Sequence, residues 1–261
     1  MYLAKRCFLK VLSCPISKMI LFVSFMPVFL LGCSMARMAV RPQLISAATE
    51  MKVEGRKSFR FDQDFSFGPY QVTEVNREWT RSTGFSAEFP SLEKHKKTFS
   101  SSKATQEYEF MLKDGKGDEW KCQNLTTCGQ GFVDVSTGAK KKMGMGISSR
   151  SFASTFKAKN RSEVWHLTMD DKQDSSFAMK GILSDGDTSI LVQGTRKLAG
   201  TPLPLTDHSG FEFLVDGNVV ASVEVINKGA VWILPSIEEK LHSPLAVTSV
   251  ALLLYQNIGR K

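Results

Sequence analysis

The C-terminal run from Leu245 to Ile258 constrains the fold more than any other segment. Leu245, Ala246, Val247, Val250, Ala251, Leu252, Leu253, Leu254, Tyr255 and Ile258 leave only a narrow polar stripe. A helix apolar on nearly every side must be enclosed by other elements. Ser243 is a good N-cap, Pro244 suits the first helical position and Gly259 supplies a stop, so the helix is expected over 244–257. At about 1.5 Å per residue it is roughly 20 Å long, short of a bilayer's hydrocarbon layer. It is therefore read as the core of a domain and not as a membrane span.

The residues before it read as strands. Phe211 to Val215, Val219 to Ile226 and Ala230 to Leu234 form a meander, with turns at Asp216-Gly217-Asn218 and Asn227-Lys228-Gly229. Further upstream, Ala104, Gln106, Tyr108, Phe110 and Leu112 alternate with polar neighbours. That strand ends at the turn Asp114-Gly115-Lys116-Gly117, and Trp120 to Cys122 begins the return. Tyr70 to Thr80 changes phase between Val72 and Val75, which marks a bulge. Val164 to Met169, Phe177 to Leu183 and Ser189 to Gly194 follow, the last two separated by an Asp185-Gly186-Asp187 turn. The expected fold is mainly β: one antiparallel, barrel-like domain over 51–261 with a single hydrophobic C-terminal helix. The helix either threads the barrel or packs outside it, as in a lipocalin-like barrel; a β-sandwich is the other alternative.

The N-terminus has a different character. Lys5, Arg6, Lys10 and Lys18 form a basic leader without acids, and Met19 to Leu31 (MILFVSFMPVFLL) is almost purely apolar. That order is the plan of an export signal. The next residues, Leu30-Leu31-Gly32-Cys33, resemble the lipobox of bacterial lipoproteins. The resemblance implies a signal peptide over 1–32, cleavage before Cys33, diacylglycerol on its thiol and an acyl chain on its new amino group. Two or more chains make a stable anchor, where one is marginal. An ordinary secretory signal and an uncleaved anchor stay open as alternatives. Val11-Leu12-Ser13-Cys14 lacks the apolar run that a lipobox needs. Ser34, where Asp would favour inner-membrane retention, points to the outer membrane if the cell has one. Residues 33–50 are expected to be a lipidated flexible tether.

A second resemblance lies in the last fifty residues. Phe211-Glu212-Phe213, Asp216-Gly217, Val219-Val220-Ala221-Ser222-Val223 and the helix from Leu245 to Leu254 follow each other as in the tubby-like superfamily, which includes phospholipid scramblases and LURP-one-related proteins. It implies a closed barrel of twelve strands with the helix threaded through it. No residue of the phosphoinositide groove of tubby domains aligns here, so the resemblance transfers no site.

Removing the four basic leader residues from 34 leaves 30 against 26 acids, a net charge of +4. That is too mild to argue for nucleic acid. Cys7 and Cys14 leave with the signal and Cys33 is lipidated, so Cys122 and Cys128 remain as an even pair in an exported chain. They are read as a disulfide closing a short CQNLTTC loop, with a redox or metal pair as the alternative. His95, His166, His208 and His242 are scattered without metal-ligand spacing, and His166 alternates with Trp165 and Leu167, which places it on the surface. Asp170-Asp171 and Asp185-Gly186-Asp187 are read as turn chemistry rather than calcium ligands. No G-x-S-x-G elbow or P-loop occurs.

Two basic runs, Lys94-His95-Lys96-Lys97 and Lys140-Lys141-Lys142, fall in expected loops. Solvated loop tips are the plain reading. The sharper one is that Lys94, Lys96, Lys97, Lys140, Lys141 and Lys142 touch anionic lipid headgroups. The expectation is thus a membrane-anchored, non-enzymatic binding or envelope-structure module in the bacterial cell envelope. It has no cofactor beyond the acyl chains on Cys33, no nucleic acid, and a membrane or envelope-protein partner. An envelope enzyme with a site assembled from distant residues, or a carrier of an apolar ligand, are the competing classes.

Overall fold

The computed structural model describes residues 35–57, 63–90, 96–137, 141–171 and 179–258, and one compact unit begins at Arg37. Its strands are β1 (Met51–Lys52), β2 (Phe65–Phe67), β3 (Tyr70–Arg77), β4 (Arg81–Pro90), β5 (Lys96–Lys113), β6 (Glu119–Thr137), β7 (Lys141–Ala158), β8 (Val164–Asp171), β9 (Lys180–Ser184), β10 (Ser189–Thr195), β11 (Gly210–Val215), β12 (Asn218–Glu224) and β13 (Ala230–Ile233). Two helices are α1 (Pro42–Ala47) and α2 (Glu239–Leu254).

Twelve strands follow one another around a nearly closed antiparallel barrel, in the order β1-β13-β12-β11-β10-β9-β8-β7-β6-β5-β3-β2. The two ends of that order meet where Glu54 and Ser66 exchange backbone hydrogen bonds of 2.9 and 3.0 Å. β4 lies off the ring and pairs with β5 alone. Alternation decides which residues line the inside: along β8, Trp165, Leu167 and Met169 are buried while His166 and Thr168 are exposed. The phase change in β3 is a real bulge, with the register shifting between Thr73 and Asn76 and Glu74 at φ 53°.

Helix α2 fills the barrel. It packs on β12 and β13 and also on β6 and β7, which lie half a ring away. Every residue from Pro244 to Leu254 is buried. The helix begins five residues earlier than the sequence indicates, at Glu239, and ends at Leu254, not Asn257. Pro244 sits inside it at the sixth position, where the missing N–H removes one bond of the ladder, the one to Lys240 O. Ser243 does not cap: its hydroxyl donates to Asp114 Oδ2 at 2.8 Å. That carboxylate also organises the β5–β6 turn, where Oδ1 accepts from the N–H groups of Lys116 and Asp118 at 2.9 Å each. The turn thus holds the N-terminal part of the helix.

Residues 37–50 are not a flexible tether. They lie along the outer face of β11–β13. Arg37 Nε donates to both oxygens of Glu224 (3.0 and 2.8 Å), and Arg41 forks onto Glu212 with two bonds of 3.1 Å. Leu44 of α1 buries itself with Ala48, Ala230 and Trp232 in a second, outer cluster. The meander is therefore covered on both faces, which explains why β12 is buried along most of its length.

Cys122 and Cys128 are free buried thiols, not a disulfide. The segment between them is strand, not loop. Both lie on the inner face of β6, six residues apart, so their Cα atoms stand about 20 Å apart at about 3.3 Å per residue. A disulfide needs about 4.4–6.8 Å. The intervening Asn124 and Thr126 also face inward, and Asn124 is satisfied by Tyr108 O and Ser154 Oγ. Burial pushes both thiols above their ordinary pKa. A maleimide reagent used without reductant is expected to label the peptides carrying Cys122 and Cys128 only after denaturation; resistance until a reductant is added contradicts the free-thiol state.

Candidate functional site

The C-terminal end of α2 is the most polar place inside the barrel. A helix end leaves its last carbonyls without intrahelical partners, and here no water-rich surface surrounds them. Three side chains from the wall supply donors. Tyr108 Oη donates to Ala251 O (2.7 Å), Arg56 Nη2 to Leu253 O (2.6 Å) and Arg77 Nη2 to Leu254 O (2.5 Å). The two guanidiniums also complement the negative end of the helix dipole. Arg77 is braced by Gln106 Oε1 at 2.8 Å and lies 4.8 Å from the Tyr108 ring centroid. Burial, with a smaller contribution from Arg77, lowers the Arg56 pKa to about 10; burial lowers that of Arg77 and raises that of Tyr108.

Around this collar stands a second group that the sequence reading did not assemble. His208 is buried and stacks on Phe211 at 5.1 Å. Its Nε2 accepts from Met179 N–H at 3.1 Å, so the ring proton sits on Nδ1, which faces Asp207 Oδ1 at 3.5 Å. The His208 ring first, and then Asn257 Nδ2 at 3.3 Å from Oδ2, hold the Asp207 carboxyl below its ordinary pKa against the opposing effect of burial. A Cβ at Gly194 would lie 2.5 Å from His208 Cδ2, so glycine there admits the ring. Tyr255 packs on Phe152 at 5.2 Å, and burial pushes its phenol up to about 12. Adjacency of Asp207 to His208 was the only sequence signal for this pair. Its burial depends on β9 and β10, which no local pattern reveals.

Such an Asp–His pair can orient a proton, but hydrolytic use needs a nucleophile beside it. The hydroxyl next in sequence, Ser209, is committed to Thr195 O (3.1 Å) and Lys197 O (2.9 Å). The pair is a structural clamp between β10 and β11. The other acids settle similarly. Asp185 Oδ1 accepts from the N–H groups of Asp187 (3.1 Å) and Thr188 (2.7 Å), and Asp171 pairs with Arg150. Among the described residues no group of three or more His, Cys, Asp or Glu could hold a metal ion. The outer wall carries a groove of about 780 Å3 beside Arg41, Lys180, Arg196, Lys197 and Glu212, where Arg41 is already paired with Glu212.

Cys33, Lys94 and Lys140 lie outside the described residues. Lys96 and Lys97 belong to β5, and Lys141 and Lys142 to β7, so the basic runs are not confined to loops. The register joins them: Lys96 pairs with Ser136 and Ser136 with Lys142, while Lys97 pairs with Val135 and Thr137 with Lys141. Lys96 and Lys142, 46 positions apart, thus share one row at one end of the sheet, with β6 between them. Among the described residues, no helix is long and apolar enough to cross a membrane. No family model, characterised protein or solved structure matches this chain.

Two outcomes test these contacts. Arg77→Met keeps the apolar stem and removes the donor to Leu254 O; it is expected to cost roughly 1–3 kcal/mol in urea unfolding, the range for leaving a buried carbonyl unsatisfied. For Asp207 the lowered pKa means that the folded state favours the ionised form. Its contribution is complete above the ordinary value of 3.8 and is lost as pH falls through the folded-state value. Asp207→Asn is therefore expected to be less stable than the parent at neutral pH, with the gap in urea midpoints closing in acid.

Proposed function

We propose that the chain is a lipid-anchored, non-enzymatic binding or structural module of a bacterial cell envelope. The observation that carries this reading is the barrel lumen filled by α2. A carrier of apolar ligands needs an open barrel, and here the lumen is packed with side chains. The polar groups at the helix end are engaged in holding the helix, which supports a non-enzymatic reading of that place. The leader and the Leu30-Leu31-Gly32-Cys33 sequence support anchoring through acyl chains on Cys33, and Ser34 supports an outer-membrane destination in a two-membrane cell. We propose the likeness to the tubby-like superfamily as a kinship of fold alone, from which no ligand site is carried over.

The anchor is tested by growing cells that express the chain in radioactive palmitate. The expected outcome is a labelled protein whose label vanishes in Cys33→Ala. Label persisting in that variant overturns the anchoring.

A further inference from the structure

The segment 37–50 is tied to the ring at two places, and a groove lies beside the ties. Ala39 N–H donates to Lys197 O at 3.1 Å and Ala199 N–H to Arg37 O at 2.9 Å, with a bridge between Met38 and Leu198. Arg41 then reaches β11 and forks onto Glu212. Residues 39–43 line one side of the groove of about 780 Å3, and β9, β10 and the residues after β10 line the other. Its floor is one row of the sheet, Lys180–Gln193–Glu212, followed along β10 by Thr195. Val40 and Pro42 lie on the segment side, and Pro204 adds a third apolar side chain.

Charge decides what such a groove takes. Arg41, Lys180, Arg196 and Lys197 line it against one acid, Glu212. Two bonds of 3.1 Å from Arg41 cancel that acid, which is only 8% exposed. Lys180 and Lys197 are exposed and make no ion pair among the described residues. Asp170, the register partner of Lys180, lies on β8, on the side of β9 away from β10 and the groove. The groove is thus a positive cleft whose own acid is already neutralised, the electrostatic complement of an anionic ligand.

Spacing and polarity narrow the class. Lys180 stands beside Gln193, and Lys197 follows Gln193 by four residues, up to about 13 Å at about 3.3 Å per residue. A single anion is small against that separation, whereas a chain with charges along its length matches it. In an extended peptide alternate side chains share a face, so acids four residues apart stand about 13 Å from each other. Gln43 and Gln193 each offer an amide with donors and an acceptor, the complement of a peptide bond. We propose that the groove binds an extended acidic peptide segment of a partner protein, its carboxylates on Lys180 and Lys197 and its backbone on Gln193. This names a partner class for the binding-module reading above and rests on it, but does not depend on the acyl anchor.

The test measures fluorescence anisotropy with the full chain purified in detergent. The probes are a labelled peptide of alternating Glu and Ser, its counterpart with Gln for Glu, and labelled oligogalacturonate as an acidic glycan. Lys180→Gln combined with Lys197→Gln is compared with Lys157→Gln combined with Lys228→Gln, exposed lysines outside the groove. The acidic peptide is expected to bind and the Gln peptide not. The groove pair is expected to weaken binding about tenfold and the control pair less than about twofold. Gln193→Trp, which fills the floor without changing charge, is expected to abolish binding while keeping the urea midpoint of the parent. Equal weakening by the two lysine pairs, or full binding by Gln193→Trp, overturns the proposal. Binding of the glycan alone through the same lysines overturns the peptide and leaves a binding module standing. Binding of neither polymer overturns the groove as a site, while the anchored reading is judged separately by the palmitate label.

Discussion

Everything in this molecule depends on ending a helix inside an apolar barrel. The side chains of α2 are easy to bury, but its last carbonyls are not, since each needs a donor where water is scarce. Arg56, after β1, and Arg77 and Tyr108, which face each other across β3 and β5, meet that need. A buried Arg77 and a partly buried Arg56 are costly on their own, and burial lowers the pKa of each. They are tolerated because the helix dipole, the Tyr108 ring and Gln106 together replace their water. The ring of strands is thereby fixed at the right circumference, because its walls must reach one axis.

The opposite surface follows the same logic with acids. Glu212 and Glu224 occupy outward positions on β11 and β12, yet they are nearly buried because residues 37–50 close over them. Arg37 and Arg41 supply forked partners, the geometry that suits a carboxylate best. The meander thus has two dry faces, one formed by the last helix and one by the start of the compact unit.

The sequence disclosed the ring where local patterns are strong. The apolar 245–258 run, the meander and the Asp114 turn all appear in the structure, as does the bulge in β3. What it hid was decided by distant partners. CQNLTTC looks like a loop because Asn and Thr interrupt the apolar parity, but Asn124 is paired inward with Tyr108 and Ser154 across two neighbouring strands. Pro244 and Ser243 look like a helix start, whereas the helix begins at Glu239 and Ser243 serves the β5–β6 turn. The Asp207–His208 clamp could be suspected from adjacency and placed only by the fold.

The position of α2 in the chain also governs how this protein comes into being. The core is contributed by the last twenty-odd residues, and the wall cannot shrink onto an empty axis. A chain without α2 therefore has no filled core for its strands to close on. Most strand pairs join neighbours in sequence, whereas the closure of the ring and the packing of α2 on β6 and β7 join distant parts of the chain. The ring of strands and the helix that fills it therefore form one cooperative unit, which loses its core if either is removed.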